Sequence, residues 1–259
     1  MMTPESRVTL ILETIHRTGR VSVDKLATKL QTSAATIRRD LSELERRGLL
    51  KREHGSAVAV EPVVHDSFRQ DSSFQEQIRR MVDEKKKIGI AAARLIKPGQ
   101  TIALAAGTTT THIARSLPPL EKVTVVTNTL NIALELARRD DIKIFVTGGF
   151  LHGGWFSLAG PNTLAAIREM YFDQVFLSVT GIHPERGLTD SHPEEAAINR
   201  VLLKQSRRKI VVADHTKFSI VANNFICGLK DVDLILTDTG ASERKLAPYR
   251  KLGAQIQRI

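Results

Sequence analysis

Cysteine is almost missing from this sequence, with Cys227 alone among 259 residues. A single thiol closes no intrachain disulfide and cannot build a thiolate zinc cluster, which leaves Cys227 as a plain buried residue. Long apolar runs are missing too. Nothing approaches the roughly 18 consecutive residues that a membrane-spanning helix needs, and the amino terminus carries no export signal, so a cytoplasmic chain with no membrane partner is expected. The G-x-x-x-x-G-K-[ST] run of Walker-type nucleotide sites is absent. His152, His183 and His192 fall in loops at spacings that match no standard metal site, and neither metal nor cofactor is expected. Acidic residues are the minority charge: 28 Asp and Glu face 38 Lys and Arg, a net charge of +10. That balance favours a polyanionic partner without choosing between DNA, RNA and a membrane surface.

What is present begins with a basic amphipathic segment, residues 31–48, QTSAATIRRDLSELERRG. Ser33 is placed to cap a helix, its side-chain oxygen accepting free first-turn amides, and Gly48 to stop it. Ile37, Leu41 and Leu44 recur at helical spacing and make the buried stripe. At ~100° per residue, Ala35, Arg39, Ser42 and Arg46 then point away from that stripe, with Thr36 and Arg38 on its flanks. Upstream, Val8, Ile11, Leu12 and Ile15 share one face of a first helix that Gly19 breaks. A shorter helix over about 22–30 buries Leu26, Ala27 and Leu30, and a polar turn leads to Ser33, which is the helix-turn-helix spacing. After Gly48, LLKREHGSAVAV reads as a β-hairpin wing with its tip at His54-Gly55. The plain alternative is a solvated, salt-laced helix, because Asp40, Glu43 and Glu45 dilute the arginines. Three helices, a short turn and a basic hairpin together favour a winged helix-turn-helix on double-stranded DNA. There the third helix enters the major groove, where Arg reads guanine edges, while the wing holds phosphates. The expected DNA contacts are Ser33, Ala35, Thr36, Arg38, Arg39, Ser42, Arg46, Lys51, Arg52 and His54.

Residues 61–73 mix Pro62, serines and charges without a period, and are expected to link this first domain, residues 1–60, to a second spanning 74–259. A long helical pattern runs from Phe74 through Ile78, Ile88, Ala92 and Leu95 to Pro98-Gly99. Lys85, Lys86 and Lys87 within it read as a solvated face. The period then changes. TIALAAG, KVTVVTN, IKIFVTGG, QVFLSVTG, KIVVADH and VDLILTD are short β-rich runs, several continuously apolar, each closed by a polar or glycine turn and mostly followed by a helical segment. Such runs imply a mostly parallel sheet covered on both faces, an α/β architecture. Ligands of such sheets bind beyond the carboxyl ends of the strands, near a switch in strand order.

The turns carry matching chemistry. Gly107-Thr108-Thr109-Thr110-Thr111 follows the first run and opens a helix, so glycine admits close backbone approach while hydroxyls and amides can surround a phosphate. Thr127-Asn128, Gly148-Gly149 and Gly181 close other strands, and Glu195 begins the helix after the Gly181 turn. Asp214 and Lys217 add a carboxylate for sugar hydroxyls and a cation for a phosphate or acid. One glycine turn alone is better read as structural; recurrence on a single sheet edge is what points to a ligand. Trp155-Phe156 reads as a lid, a subunit contact or core packing.

Thr36, Ile37, Arg38, Arg39, Asp40 and Leu41 spell T-I-R-R-D-L, preceded by Ser33 and followed by E-x-x-G-L-L-K-R-x-H-G. This stretch resembles the amino-terminal signature of DeoR-family bacterial transcriptional repressors, and the second half resembles the effector domain of the same family, over residues 7 to 238. The resemblance implies a winged helix-turn-helix on operator DNA, followed by a domain related in fold to ribose-5-phosphate isomerase that binds phosphorylated sugar metabolites and relieves repression. It assigns Gly107, Thr108 and Thr109, with Thr110 beside them, to the phosphate loop. Thr127, Asn128, Gly148 and Gly149 match the ends of the second and third strands, and Gly181, Glu195, Asp214 and Lys217 match later motifs. Three positions depart: Ser56 stands where many relatives have glycine, Ala105 where many have Asp, and Gln77 where many have Arg. Ala105 implies altered reading of ligand hydroxyls, and Gln77 an altered linker contact.

Catalysis is the rival reading. Moving a proton between adjacent sugar carbons needs a positioned carboxylate base and groups that polarise the carbonyl. The isomerases' D-G-A-D segment matches Thr180-Gly181-Ile182-His183 here, without either carboxylate, and only Glu195 or Asp214 is left as a substitute base. Binding without turnover is therefore expected, with no catalytic residue. The whole reads as a repressor of a carbohydrate-utilisation operon, and symmetric operators together with the family likeness imply a homodimer or homotetramer.

Overall fold

The computed structural model describes residues 3–47, 49–53, 55–59, 72–152 and 154–259. Gly48, His54 and most of the expected linker lie outside the described residues. α1 (Pro4–Thr18) begins behind Thr3, which accepts the Ser6 amide, and ends at Gly19. β1 (Arg20–Ser22) leads into α2 (Val23–Lys29), and α3 (Ala34–Arg46) starts where the Ser33 hydroxyl accepts the Thr36 amide at 3.1 Å. β2 (Leu50–Glu53) and β3 (Ser56–Ala59) make the hairpin, and β1 joins it antiparallel in the order β1-β3-β2. Three residues leave too little alternation to be seen in sequence; β1 forms because Val21 finds a buried place opposite Ala57. Ile11, Ile15, Leu26, Ile37, Leu41, Leu44 and Leu50 share one core. Asp40, which sequence had merely diluting the arginines, accepts from Arg7 at 2.5 and 3.1 Å and so straps α3 to α1.

The single helix expected from Phe74 onward is two. α4 (Ser72–Arg79) stops, Met81 turns left-handed at φ 51° and ψ 45°, and α5 (Val82–Ala93) restarts. An apolar period survives such a break when both pieces bury the same side. The joint is held by Lys85, whose ammonium donates at 2.5 Å to the Gln77 carbonyl, an end-of-helix acceptor that also takes the Arg80 amide at 3.3 Å. Lys85 is only 2% exposed, so it does not belong to a solvated face; Lys87 is exposed and Lys86 half-buried.

From there strands and helices alternate. In chain order they are β4 (Thr101–Leu104), α6 (Thr108–Ser116), β5 (Val123–Thr127), α7 (Leu130–Leu136) and β6 (Ile142–Val146). The hairpin β7 (Phe150–His152) and β8 (Ser157–Ala159) follows, then α8 (Pro161–Arg168) and β9 (Phe172–Leu177). β10 (Gly181–His183), β11 (Gly187–Asp190) and α9 (Pro193–Lys204) precede β12 (Ser206–Val212), β13 (Asn224–Cys227) and β14 (Leu234–Thr237). α10 (Glu243–Lys251) and β15 (Ile256–Arg258) complete the order.

Seven strands form one sheet, β15-β14-β12-β9-β4-β5-β6, with every neighbouring pair parallel. Alternate residues feed two cores: Ile102 and Leu104 pack with Ile88 and Ile113 on one face, Ala103 and Ala105 with Val175 and Leu177 on the other. This double coverage is why the strands read as unbroken apolar runs. Successive strands progress one way from β4 to β6 and the other way from β9 to β15. The switch point therefore lies between β4 and β9. Two small antiparallel sheets, β7-β8 and β10-β11-β13, stand beside the main one.

Candidate functional site

On the amino-terminal half, α3 exposes Ser33, Ala35, Arg38, Arg39 and Ser42 and leaves Thr36 half-buried. Among the described residues no ion pair engages Arg38 or Arg39. Arg46 is turned elsewhere: it donates to Glu43 at 2.7 and 3.0 Å and approaches Asp140 at 3.9 Å, while Arg47 meets Asp141 at 3.5 Å. The carboxyl end of α3 thus faces the α/β half, and Arg46, although exposed like Arg38 and Arg39, already has carboxylate partners. Arg52 donates from its guanidinium to Ser42 at 2.5 Å and from its amide to Glu45 at 2.8 Å, which braces the wing on α3. Lys51 is exposed, and His54 lies outside the described residues.

On the α/β half, a cavity of about 150 Å³ opens at the β4–β9 switch point. The start of α6 contributes to its lining. Gly107 caps the helix with φ 154°, and a Cβ there would fall 2.3 Å from Cβ of Ser178, so only glycine lets the two switch-point loops touch. Thr108 and Thr109 line the cavity beside the amides of a helix start, which carry partial positive charge and no intrahelical partner. Two lysines line the same cavity. The Lys217 amide donates to the Asp214 carbonyl at 3.1 Å, while its ammonium makes no hydrogen bond or ion pair among the described residues. Burial pulls the Lys85 ammonium down to about 8, the nearby Asp214 working against that and Lys217 with it.

The lining also carries acids. Asp190 is buried and accepts from the His192 amide at 3.0 Å; burial pushes its carboxyl above the usual range. Glu195 is also pushed up by burial, although Ser157 and Asn128 donate to it, Asn128 at 3.3 Å. Ser178 and Thr180 add hydroxyls, and Trp155 closes one wall with its ring against His192, centroids 5.3 Å apart. The cavity therefore offers cations and helix amides together with hydroxyl-reading groups.

Comparison with known proteins decides what this arrangement belongs to. Residues 7–63 match the DeoR-like helix-turn-helix domain, and residues 80–239 match the DeoR C terminal sensor domain. The chain belongs to the DeoR family. The HTH-type transcriptional regulator GolR of Listeria innocua is 31% identical over 256 residues, 99% of each chain. The HTH-type transcriptional repressor GlcR of Bacillus subtilis is 32% identical over 237 residues, 92% of this chain and 89% of that one. A solved ribose 5-phosphate isomerase A from Methanocaldococcus jannaschii aligns with 52% of this chain and 53% of its own at 15% identity and a TM-score of 0.38, a distant likeness. Relatives named as regulators and repressors agree with a DNA-binding protein that is not an enzyme. Among the described residues no helix is long and apolar enough to cross a membrane.

In this DeoR-family regulator, Gly107, Thr108, Thr109, Glu195 and Lys217 meet on the cavity, and the remaining expected residues do not line it. Thr110 donates its hydroxyl to the Gly107 carbonyl at 2.8 Å, as Thr111 does, so half of the threonine run is spent inside the helix. Thr127 donates to Leu104 at 2.8 Å, and Asn128 holds Glu195 from behind. Gly148 and Gly149 close β6, the edge strand two places from the switch point, where the Gly148 carbonyl accepts from Thr163 at 2.6 Å. Gly181 lies in β10, against the Ile220 carbonyl. Asp214 accepts the Thr216 amide at 3.0 Å and caps the turn that presents Lys217; it is buried beneath that turn rather than on the cavity lining. Gln77, expected to alter only a linker contact, lines the cavity, whereas Ala105 does not.

Lys85, Ser178 and Asp190 were missed, and His192 was weighed only as a metal ligand. Lys85 gave no signal, because in a run of three lysines only packing decides which one is buried. Ser178 sits in the quoted run QVFLSVTG beside Gly181, and its hydroxyl was the available hint.

Proposed function

We propose that this regulator is a cytoplasmic, DNA-binding repressor of a carbohydrate-utilisation operon, and that a phosphorylated sugar or related metabolite in the cavity controls its hold on operator DNA. One observation carries the reading: a single cavity is lined by Lys85, Lys217 and the start of α6 together with Asp190 and Glu195. The first set suits a phosphate, the second a chain of hydroxyls. Arg38 and Arg39 would meet base edges or phosphates in the groove, with Ser33, Thr36 and Lys51 holding the register. The effector acts by population shift, favouring an arrangement in which the DNA-binding domains of a homodimer or homotetramer no longer match the half-site spacing.

Thermal-shift screening against phosphorylated sugars, sugar acids and polyol phosphates tests the ligand class. Lys217→Ala and Thr108→Ala should weaken the response of operator binding to the stabilising compound while leaving binding without it nearly intact. Unchanged responses in both variants would remove the phosphate reading. Asp190 and Glu195 are the carboxyl groups on which an isomerase-like activity would draw for its base, and burial works against that role by favouring their protonated forms. Chemical analysis of the stabilising compound after incubation separates the two: a sensor returns it unchanged.

A further inference from the structure

The cavity touches α4 by three routes. Gln77 of α4 lines it directly. Lys85, which also lines it, donates to the Gln77 carbonyl at 2.5 Å. Trp155 lines it as well, and its neighbour Phe156 receives the ring of Phe74 from α4, centroids 5.0 Å apart at 89°. Both phenylalanines are buried. α4 is the first described element after the wing, and Met81, in the left-handed conformation, is the joint that separates it from α5.

Lys85 is the unusual member of this set. It is buried, pairs with no carboxylate among the described residues, and holds the end of α4 through a single carbonyl. An ammonium has three N–H donors, so it can keep that carbonyl and accept an anion from the cavity at the same time. The anion also keeps the amine protonated, and a charged donor holds a helix-end carbonyl about twice as strongly as a neutral one. A ligand that presses on Gln77 and Trp155 while neutralising Lys85 therefore reinforces the contacts that already fasten α4.

We infer that ligand occupancy clamps α4 onto the α/β domain through Lys85 and the Phe74–Phe156 contact, which makes α4 the element through which the cavity is read out. This rests on the cavity being the effector site. α4 precedes the sensor core in the chain, so fixing it restricts how the DNA-binding half is held. Phe74 is a positioning residue in this scheme: it lies outside the cavity lining and acts through Phe156.

The test uses the full chain with ribose 5-phosphate, and inorganic phosphate as a second probe. Trp155 is the only tryptophan, so its fluorescence reports occupancy directly. Hydrogen exchange across Ser72–Arg79 reports the clamp. At ligand ten times above its Kd, openings of α4 that require an empty cavity should slow about 11-fold. Those of α10, which does not line the cavity, should barely change. Phe74→Leu, which keeps an apolar side chain without a ring, should retain the fluorescence response and lose most of the slowing. A Trp155 response with no change in α4 exchange overturns the clamp and leaves the cavity reading standing, and full slowing in Phe74→Leu overturns it as well. No Trp155 response to either probe removes the cavity reading and the clamp together.

Discussion

Replacing Gly89 with alanine sets two effects of opposite sign against each other. Gly89 lies in the middle of α5, where alanine is favoured by about 1 kcal/mol on helix propensity alone. A Cβ at that position would sit 2.7 Å from the carbonyl carbon and Cβ of His112 and 2.9 Å from its carbonyl oxygen. These are mostly backbone atoms of α6, so no rotamer relieves them, and the helices must part by about 0.7 Å to stretch 2.7 Å to an ordinary 3.4 Å contact. Ile88, Ala92 and Ile113 are fully buried in the same core and lose contact as the seam opens. Overpacking of this kind costs roughly 1–3 kcal/mol, and a clash with backbone belongs at the upper end. The net expectation is a destabilisation of about 2 kcal/mol, read as a lower urea midpoint at unchanged slope. Because α5 carries Lys85 and α6 opens with Thr108 and Thr109, ligand affinity should fall too. A Gly89→Ala protein that is more stable than the parent by about 1 kcal/mol would refute the close-packing argument.

Other outcomes follow from the same geometry. Arg39→Ala should weaken binding to DNA from the protein's own regulatory region roughly tenfold in a gel shift, and Arg46→Ala less, because Arg46 is already committed to Glu43 and faces Asp140; equal losses would contradict that division. Asp40→Asn should cost about 1–2 kcal/mol, since it leaves the partly buried Arg7 without its charge partner, and a double-mutant cycle with Arg7→Met should recover much of it. Lys85 titrates near 8 against an ordinary 10.5, beside Asp214, Lys217, Arg80 and Glu84. The folded chain therefore binds that proton more weakly than the unfolded one, so Lys85's contribution to stability rises between about pH 8 and 10.5 while phosphate affinity falls through pH 8. Trp155 fluorescence titrations across that range check it, and a flat affinity profile would contradict it.

Much of the fold was open to direct reading because its signals are local. Ser33 caps α3 and Ile37, Leu41 and Leu44 bury, because a hydroxyl one residue ahead of a helix and a 3.6-residue period act within the segment itself. The six apolar runs became sheet strands for the same reason. The break at Met81 was hidden because Phe74 and Ile88 bury on either side of it and keep the period intact. The candidate site divided along the same line. Gly107-Thr108-Thr109 was legible as a strand-to-helix glycine turn. Gly148-Gly149 has the same local appearance, yet it sits on the edge strand, and only strand order separates a turn at the switch point from one away from it.

By itself, then, the sequence determined the two architectures, the exposed arginine face and the threonine loop, since each depends on periods, caps and turns spanning a few residues. Tertiary structure alone decided which of three consecutive lysines is buried, which threonines keep a free hydroxyl, and that Asp190 and Glu195 share a cavity with Lys217. Those outcomes depend on which distant segments pack together, and desolvation and proximity act across space rather than along the chain.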